Sequence, residues 1–468
     1  MTRKTITIIA ALSSVALLTA GYFGAQAWIK AHPKTPLRNP SSVLDVPKLT
    51  NFDSNKLKEI ENVGQGFTLE KRGETWEVIT TAGVPADKIR IDQRTFSYKL
   101  WSISNAWTEG IVEEEPADLS IFGLDNPLNH IIISDSEGNR AELLFGNMNP
   151  SHSSYYVMKA GEPTVYTMSS YSADNLLFDL DSIRDKNLLN DIDLRSLTRF
   201  ILEPRPEENA AGKGRIDITP RDPDNYLISS FCSYFLNAPY KITYGADSEK
   251  YGNLMEAIQG LQINEFVDDN PASLAPYGLD KPGRIHLESP EQTIEILFGK
   301  NDNGLRYAMI PGDSSVFSLT GFEPIAAANA FNLMDKFALI LDIKNVDSIT
   351  IAEGGRTLEA QVQDDGDNAV FHLNGRKTAD KEFRNFYQAI IGLLIDAEYS
   401  GAPVQTPGPE MVIEYRLNTP PGVRASIRLI PYNRDFYILE KEGVREFLIS
   451  RTQVRHIFET ADDMVYED

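Results

Sequence analysis

A twelve-residue segment that occurs twice constrains the fold more than any other feature of this chain. Residues 116–127 read Pro-Ala-Asp-Leu-Ser-Ile-Phe-Gly-Leu-Asp-Asn-Pro, and residues 271–282 are identical to them at seven of the twelve positions. We call these segments the first and the second knob. Proline is tolerated at the first position of a helical turn, glycine ends such a turn in the left-handed conformation, and Asp-x-Pro favours an extended exit. The pattern predicts a packing element, opened by its proline, that contains no reactive chemistry.

The residues that define the two knobs correspond one to one. In the first knob they are Pro116, Leu119, Phe122, Gly123, Leu124, Asp125 and Pro127; in the second they are Pro271, Leu274, Tyr277, Gly278, Leu279, Asp280 and Pro282. The three apolar positions of each knob are spaced to be buried together. Further matches follow at a nearly constant offset of about 150 residues, with Leu144-Phe-Gly146 repeated as Leu297-Phe-Gly299. Such regularity indicates a duplicated domain.

Short runs of β-branched and aromatic residues, separated by turn residues, follow each knob. They predict a four-stranded antiparallel meander between residues 131 and 168 and a second between residues 285 and 319. Helical segments are predicted at 175–184 and 323–334. A third copy begins near Asp342; it keeps a helix with an apolar stripe from Phe383 to Leu394 and a meander over 411–450, and has residues 403–409 in place of a knob. The predicted class is α+β, with three related units that each combine an antiparallel β-meander with one packed helix.

The first 29 residues predict a membrane anchor. No charged residue occurs from Thr5 to Ile29, and a helix of this length is long enough for a bilayer core of about 30 Å. Arg3 and Lys4 precede the apolar run, so we expect a cytoplasmic N-terminus, a single pass through the plasma (inner) membrane and an extracytoplasmic remainder. The alternative is a secreted protein, cleaved near Ala27. The expected organisation is an anchor over 1–29, a linker over 30–52 and repeat units over 53–190, 191–341 and 342–468.

The net charge of −22 argues against binding to nucleic acid. The single cysteine, Cys232, excludes an internal disulfide, and its aromatic neighbours favour a buried apolar role. The six histidines have no metal-ligand spacing, and neither a phosphate-binding loop nor a Gly-x-Ser-x-Gly motif is present. We therefore predict no catalytic residue, no metal ligand and no cofactor.

Two sets of residues leave alternatives open. Carboxylates cluster at 113–115, 268–269, 364–367 and 462–463, and a solvated structural role, a weak calcium site or a glycosidase pair is compatible with them. The first unit carries the aromatic residues Trp76, Trp101, Trp107, Tyr155 and Tyr171, which could bind sugar. Because Trp101 and Trp107 border a helix, core packing is the favoured interpretation for these two.

Several of these motifs together resemble one bacterial family. The segments that carry the resemblance are Phe67–Trp76, Pro85-Ala-Asp87, the knobs, Leu-Phe-Gly, Tyr-Tyr-Val157, Val-Tyr166 and Leu180–Leu189. They are similar to domain of unknown function 4340, in tandem copies from about residue 53 to 462. The resemblance implies a single-pass membrane protein, in some members similar to auxiliary components of ABC transport systems related to gliding motility. It implies no catalytic residues.

Three functional hypotheses follow. The first is a non-enzymatic, membrane-anchored extracytoplasmic scaffold or auxiliary subunit of an ABC-transporter-type membrane complex, with a permease-like partner that docks on the knobs or on free sheet edges. The second is a module that binds cell-envelope glycan. The third is a hydrolase that uses the acidic clusters.

Overall fold

Three antiparallel sheets with the same strand order form the framework of the protein. The computed structural model describes residues 47–81, 86–189, 192–209, 214–223, 231–363, 369–401, 410–418 and 421–467. The predicted anchor at residues 5–29 lies outside these ranges, as do the acidic residues 364–367 and the segment 403–409. Within the described ranges, no helix combines the length and the apolar character needed to cross a bilayer.

The first sheet has eight strands. They are β1 (Leu57–Asn62), β2 (Phe67–Arg72), β3 (Thr75–Thr81), β4 (Gly110–Glu113), β5 (Asn129–Asp135), β6 (Arg140–Met148), β7 (Ser154–Lys159) and β8 (Val165–Ser169). Their spatial order is β3-β2-β1-β5-β6-β7-β8-β4. The opening strand β1 thus pairs with the first strand of the meander, and β4 forms the far edge.

The second and third sheets have nine strands each. The second contains β9 (Arg199–Glu203), β10 (Ile216–Pro220), β11 (Tyr234–Ala238), β12 (Tyr244–Ala246), β13 (Gln262–Asp268), β14 (Gly283–Glu288), β15 (Thr293–Asp302), β16 (Leu305–Met309) and β17 (Val316–Thr320). The third contains β18 (Val346–Glu353), β19 (Arg356–Gln363), β20 (Val370–Leu373), β21 (Arg376–Lys377), β22 (Ala397–Glu398), β23 (Met411–Asn418), β24 (Pro421–Pro431), β25 (Phe436–Lys441) and β26 (Val444–Ser450). Their orders, β12-β11-β10-β9-β14-β15-β16-β17-β13 and β21-β20-β19-β18-β23-β24-β25-β26-β22, repeat the arrangement of the first sheet.

Eight α-helices accompany the sheets in the described ranges. They are α1 (Gln93–Ser104), α2 (Ser170–Ala173), α3 (Pro206–Asn209), α4 (Ser248–Gln259), α5 (Glu323–Ala327), α6 (Ala330–Leu333), α7 (Asp380–Ile391) and α8 (Arg451–Asp462). One twelve-residue helix, α1, α4 or α7, lies between the opening strands and the far-edge strand of each copy. The α+β class predicted from the sequence is therefore confirmed.

Contacts divide the chain into two compact units. One comprises the described parts of Met1–Thr80 and Gln93–Leu180 and carries the first sheet; the other comprises the described parts of Thr81–Asp92 and Asp181–Asp468 and carries the second and third sheets. The boundaries of the three repeat units remain predictions.

Apolar residues that alternate along the strands form each core, as in β5, where Ile131 and Ile133 are fully buried. In α7 the predicted apolar stripe buries Phe383, which stacks on Phe371 with ring centroids 4.4 Å apart.

Each copy is closed by the same backbone bridge. The residue two positions before the long helix pairs with a segment that returns after the meander. The three bridges join Ile91 to Arg184, Ala246 to Met334 and Thr378 to Tyr466. In the first of them the Asp92 amide donates to the Ile183 carbonyl at 2.9 Å. The returning segment must be extended to form this bridge.

The predicted helix over 175–184 is therefore wrong. The structure has the single turn α2 before it and a short 3-10 turn, Asp181–Ile183, at its end. The Leu176 and Leu177 amides both donate to the Ala173 carbonyl at the end of α2, and residues 177–180 form neither helix nor strand. The predicted helix over 323–334 is interrupted between α5 and α6, because Ala328 has an extended conformation with ψ of 137°. The strands β4, β13 and β22 were not predicted at all.

Candidate partner-docking surface

The first knob is a 3-10 turn, Leu119–Phe122, held by its own side chain and backbone. The Asp118 carboxylate accepts a hydrogen bond from the Ser120 amide at 2.9 Å. Gly123 ends the turn with φ of 70°, and the Leu124 amide donates to the Leu119 carbonyl at 3.1 Å. Phe122 and Leu124 are buried with Met158 and Val165. The first knob is thus a capped turn whose apolar side chains pack against the sheet.

The second knob has the same geometry over Ala275–Tyr277. Gly278 has φ of 68°, and the Leu279 amide donates to the Leu274 carbonyl at 3.1 Å. The prediction that the first proline opens the turn is wrong in both copies, because the turns begin at Leu119 and Ala275, after Pro116 and Pro271. The first turn of each knob is capped by a side chain instead: Asp118 accepts a hydrogen bond from the Ser120 amide, and Ser273 accepts one from the Ala275 amide. Such a side-chain oxygen satisfies an amide that would otherwise have no partner at the start of the turn.

The knob residues divide by exposure in a similar way in the two copies, except that Tyr277 is more exposed than the equivalent Phe122. Phe122, Leu124 and Leu279 are buried. Leu119, Leu274, Tyr277 and the four prolines Pro116, Pro127, Pro271 and Pro282 are half-buried, whereas Asp125 and Asp280 are exposed. The apolar positions face the sheet, and the acidic position faces solvent.

Each knob rests on the glycine of the Leu-Phe-Gly motif. A β-carbon built on Gly146 would lie 2.2 Å from the Phe122 carbonyl oxygen, and one built on Gly299 would lie 2.1 Å from the Tyr277 carbonyl oxygen. No side chain fits between the strand and the turn. This close approach explains why the glycine recurs with the knob.

The strand that precedes each knob forms the far edge of its sheet. On the second sheet this edge, β13, binds a buried arginine from the preceding segment. The Arg184 guanidinium donates to Asp269 Oδ1 at 2.8 Å and to Ser315 Oγ at 3.0 Å. Its carbon lies 3.4 Å from the centroid of the Phe266 ring, and only 3% of the side chain is exposed. We call Asp269, Ser315 and Phe266 the arginine site of the second sheet.

The third sheet is covered at the corresponding edge as well. The hydroxyl of Tyr240 donates to Glu398 of β22 at 2.8 Å, and the Lys241 amide donates to Glu446 at 2.8 Å. The Phe447 ring lies 4.8 Å from the ring of Tyr240. Tyr240 and Lys241 of the second copy thus cover part of the far edge of the third sheet.

The first sheet differs, because its edge strand β4 presents apolar side chains to solvent. Ile111 and Val112 are 49% and 42% exposed. Glu113 pairs with Val165, which is packed beneath the first knob, so the knob adjoins this edge. On the knob Ile121 is 69% exposed. We call Ile111, Val112 and Ile121, with the adjoining exposed residues Glu113–Glu115, the open edge; such an edge can accept a further strand or segment.

Two of the acidic clusters make contacts within the fold, whereas Glu113–Glu115 are exposed. Asp268 accepts a hydrogen bond from the Tyr277 hydroxyl at 2.8 Å, which raises the pKa of that tyrosine. Asp462 pairs with Arg356. Among the described residues, no three His, Cys, Asp or Glu side chains lie together as metal ligands require. His130 lies 2.8 Å from Glu142 on the adjacent strand.

Cys232 lies near the half-buried Asp335 and the buried Lys441. It packs against Phe235, and burial raises the pKa of its thiol. Burial also raises the pKa of the nearby Asp335 carboxyl and lowers the pKa of the Lys441 ammonium. A thiol with a raised pKa is a poor nucleophile at neutral pH.

A polar cleft with an exposed tryptophan lies in the first compact unit. It has a volume of about 360 Å³, and its walls include Asn55, Lys71, Glu74 and Trp101. Trp101 is 63% exposed, so the interpretation of this residue as core packing is wrong. Helix α1 buries Phe96 and Ile103 instead, and a position two residues from Ile103 lies on the opposite face of the helix. Trp107 is 37% exposed and lies under the Lys48 ammonium, whereas Trp76 is buried.

These observations define a class: an α+β protein of three repeated antiparallel sheets, of which two are covered at the far edge and one is left uncovered by the residues that the structure describes. A family model described as domain of unknown function (DUF4340) matches residues 83–282 and 235–394, more than half of the chain together. The chain therefore belongs to this family, in tandem copies. No curated protein and no solved structure matches it.

Proposed function

We propose that this chain is a non-enzymatic, membrane-anchored extracytoplasmic scaffold or auxiliary subunit of a transport complex of the ABC type. The observation that carries the proposal is the open edge, where the exposed apolar strand β4 adjoins the first knob. The apolar run at residues 5–29 would place that surface outside the plasma membrane next to a permease-like partner.

The three sheets differ at their equivalent far edges. Leaving a strand edge unpaired and apolar favours association with another chain, so soluble proteins cover such edges. The second and third sheets use Arg184 and Tyr240 for that purpose. On the first sheet Ile111 is 49% exposed, whereas the equivalent Phe266 of the second sheet is half-buried beneath Arg184, and this difference suits a surface that another protein covers.

The test is purification of the tagged full chain from gently solubilised membranes. We expect a membrane protein of the permease type to copurify in constant proportion, and Val112→Lys to reduce its recovery at least about tenfold, because a buried unpaired ammonium opposes docking. Val267→Lys is the matched control, since Val267 occupies the same position on the covered edge of the second sheet and is 38% exposed. Recovery of the chain alone, or equal effects of the two variants, would contradict the proposal.

The cleft beside Trp101 supports a second candidate, a site for cell-envelope glycan. An exposed indole beside amide and charged groups suits the apolar face and the hydroxyls of a sugar. We expect the full chain to bind insoluble peptidoglycan and Trp101→Ala to weaken that binding about tenfold without a change in thermal stability. Tyr98→Ala is the control, because Tyr98 is 73% exposed on the same helix and does not line the cleft. Wild-type affinity in Trp101→Ala would exclude this site.

A further inference from the structure

The arginine site of the second sheet has a counterpart on the first sheet, position for position. The strands β4 and β13 pair with the last meander strands β8 and β17 in the same register, and both carry a bulge at the same place. The matching pairs are Ile111 with Tyr166 and Glu113 with Val165 on the first sheet, and Phe266 with Phe317 and Asp268 with Val316 on the second. The residue after Glu113 is therefore equivalent to Asp269.

The counterpart preserves the chemistry of the three residues that form the arginine site on the second sheet. A further carboxylate, Asp181, lies 3.3 Å from Arg184 and belongs to the same segment as the arginine itself. Glu114 stands for Asp269, Thr164 for Ser315 and Ile111 for Phe266. A carboxylate, a hydroxyl and an apolar wall are thus retained. Thr164 Oγ1 donates to the Glu114 carbonyl oxygen at 3.4 Å, so the hydroxyl and the acidic residue are adjacent on the first sheet too. We call Ile111, Glu114 and Thr164 the arginine socket.

The socket differs from the arginine site in its contents. On the second sheet the segment before the sheet inserts Arg184, whose side chain is 3% exposed. On the first sheet Glu114 is exposed, and Ile111 is 49% exposed. Within the described part of the chain, no lysine or arginine forms an ion pair with Glu113, Glu114 or Glu115, whereas Asp269 has its guanidinium partner.

We propose that the arginine socket binds the guanidinium of an arginine in a segment of the partner protein that docks on the open edge. This inference rests on the proposed docking function and gives the partner a chemical signature. The acidic stretch Glu113–Glu115 is complementary to a basic segment. Arginine is favoured over lysine because two of its nitrogens reach the carboxylate and the hydroxyl at once while its flat face covers the apolar wall.

The experiment places a photoreactive benzoylphenylalanine at Val112 of the full chain in native membranes. Val112 is beside the socket and is not part of it. After irradiation, the attached partner peptide is sequenced by mass spectrometry. We expect one membrane-protein partner, with an arginine within a few residues of the attachment point. An adduct within the chain itself, an adduct to a second copy, or a partner peptide without arginine would overturn the proposal.

Charge variants on the same background test the socket directly. Glu114→Arg should lower the adduct yield at least about tenfold, since it replaces an ion pair with like-charge repulsion. Glu114→Asp, which restores the acid found at Asp269, should retain the adduct. Glu115→Arg is the matched control for general charge and should change the yield less than about twofold, because the equivalent Asn270 does not bind Arg184.

The outcomes separate the socket from the docking function. Equal losses in Glu114→Arg and Glu115→Arg, or no loss in either, would remove the arginine socket while leaving a partner on the open edge. Absence of any membrane-protein adduct would remove both. Because Glu114 is exposed, we expect the thermal unfolding of each variant to be unchanged. Unchanged unfolding shows that a lower adduct yield reports weaker binding and not a folding defect.

Discussion

Gly299→Ala is expected to lower the free energy of unfolding of the second compact unit by about 3 kcal/mol, the upper part of the range for overpacking. The added β-carbon would lie 2.1 Å from the Tyr277 carbonyl oxygen, which is backbone and cannot rotate away. Relief would require the second knob to lift from the strand and expose Leu279, which is 3% exposed. Urea unfolding followed by circular dichroism measures the loss.

Spectroscopy can assign this effect to one unit. All four tryptophans of the chain occur before residue 108. Tryptophan fluorescence therefore follows the first unit, and Gly146→Ala, the twin substitution under the first knob, should shift the fluorescence transition. Gly299→Ala should shift only the transition seen by circular dichroism.

The control for both glycine variants is Gly252→Ala. Gly252 lies inside α4, and a β-carbon there would meet no atom within 4 Å. This substitution should leave stability unchanged or raise it by up to about 1 kcal/mol, because alanine suits a helix interior better than glycine. If Gly299→Ala were as stable as the wild type, the knob would not be seated on the strand as described.

The second large effect is expected at the arginine site of the second sheet. Asp269→Asn should destabilise the second unit by about 3 kcal/mol, since it removes the closer and less exposed carboxylate partner of the buried Arg184 guanidinium and leaves only Asp181, which lies 3.3 Å away and is 51% exposed. Arg184→Met should cost less, about 2 kcal/mol, because the Asp269 side chain that remains is 24% exposed and can be hydrated. The double variant should be no less stable than Asp269→Asn alone. Urea unfolding of the four proteins forms the thermodynamic cycle.

A surface ion pair provides the comparison. Asp347 lies 3.5 Å from Arg416, and the two side chains are 48% and 61% exposed. Asp347→Asn should change stability by less than about 0.5 kcal/mol, because solvent screens such pairs. An effect at Asp269 as small as this would mean that the arginine site does not fix the edge of the second sheet.

The duplication could be predicted from the sequence because its signals are local. A glycine that must adopt a left-handed conformation and an alternation of apolar residues are visible within a dozen positions, as at Gly123 and in β5. These signals located the knobs and the meanders. Helix ends are also local, but the segment 175–184 departs from a helix for a reason outside itself: its last residue, Arg184, pairs with the distant Ile91.

The far-edge strands could not be predicted because their partners are distant in sequence. The strand β4 is four residues long, mostly exposed, and pairs with β8 some fifty residues later. The sequence did align the acids at 113 and 268. It gave no sign that Arg184, 85 residues before Asp269, is the group that binds there.

The central pairing of each sheet has a consequence for how the chain acquires its structure. Ile60 is opposite Ile133, Leu202 is opposite Ile285, and Ile349 is opposite Tyr415, so each opening strand meets its neighbour only after about 65–85 further residues. Contacts of such long sequence separation form slowly. During synthesis, the first half of every copy therefore stays incompletely folded, with apolar side chains uncovered, until its second half has emerged. The nascent chain thus depends on protection from aggregation three times in succession.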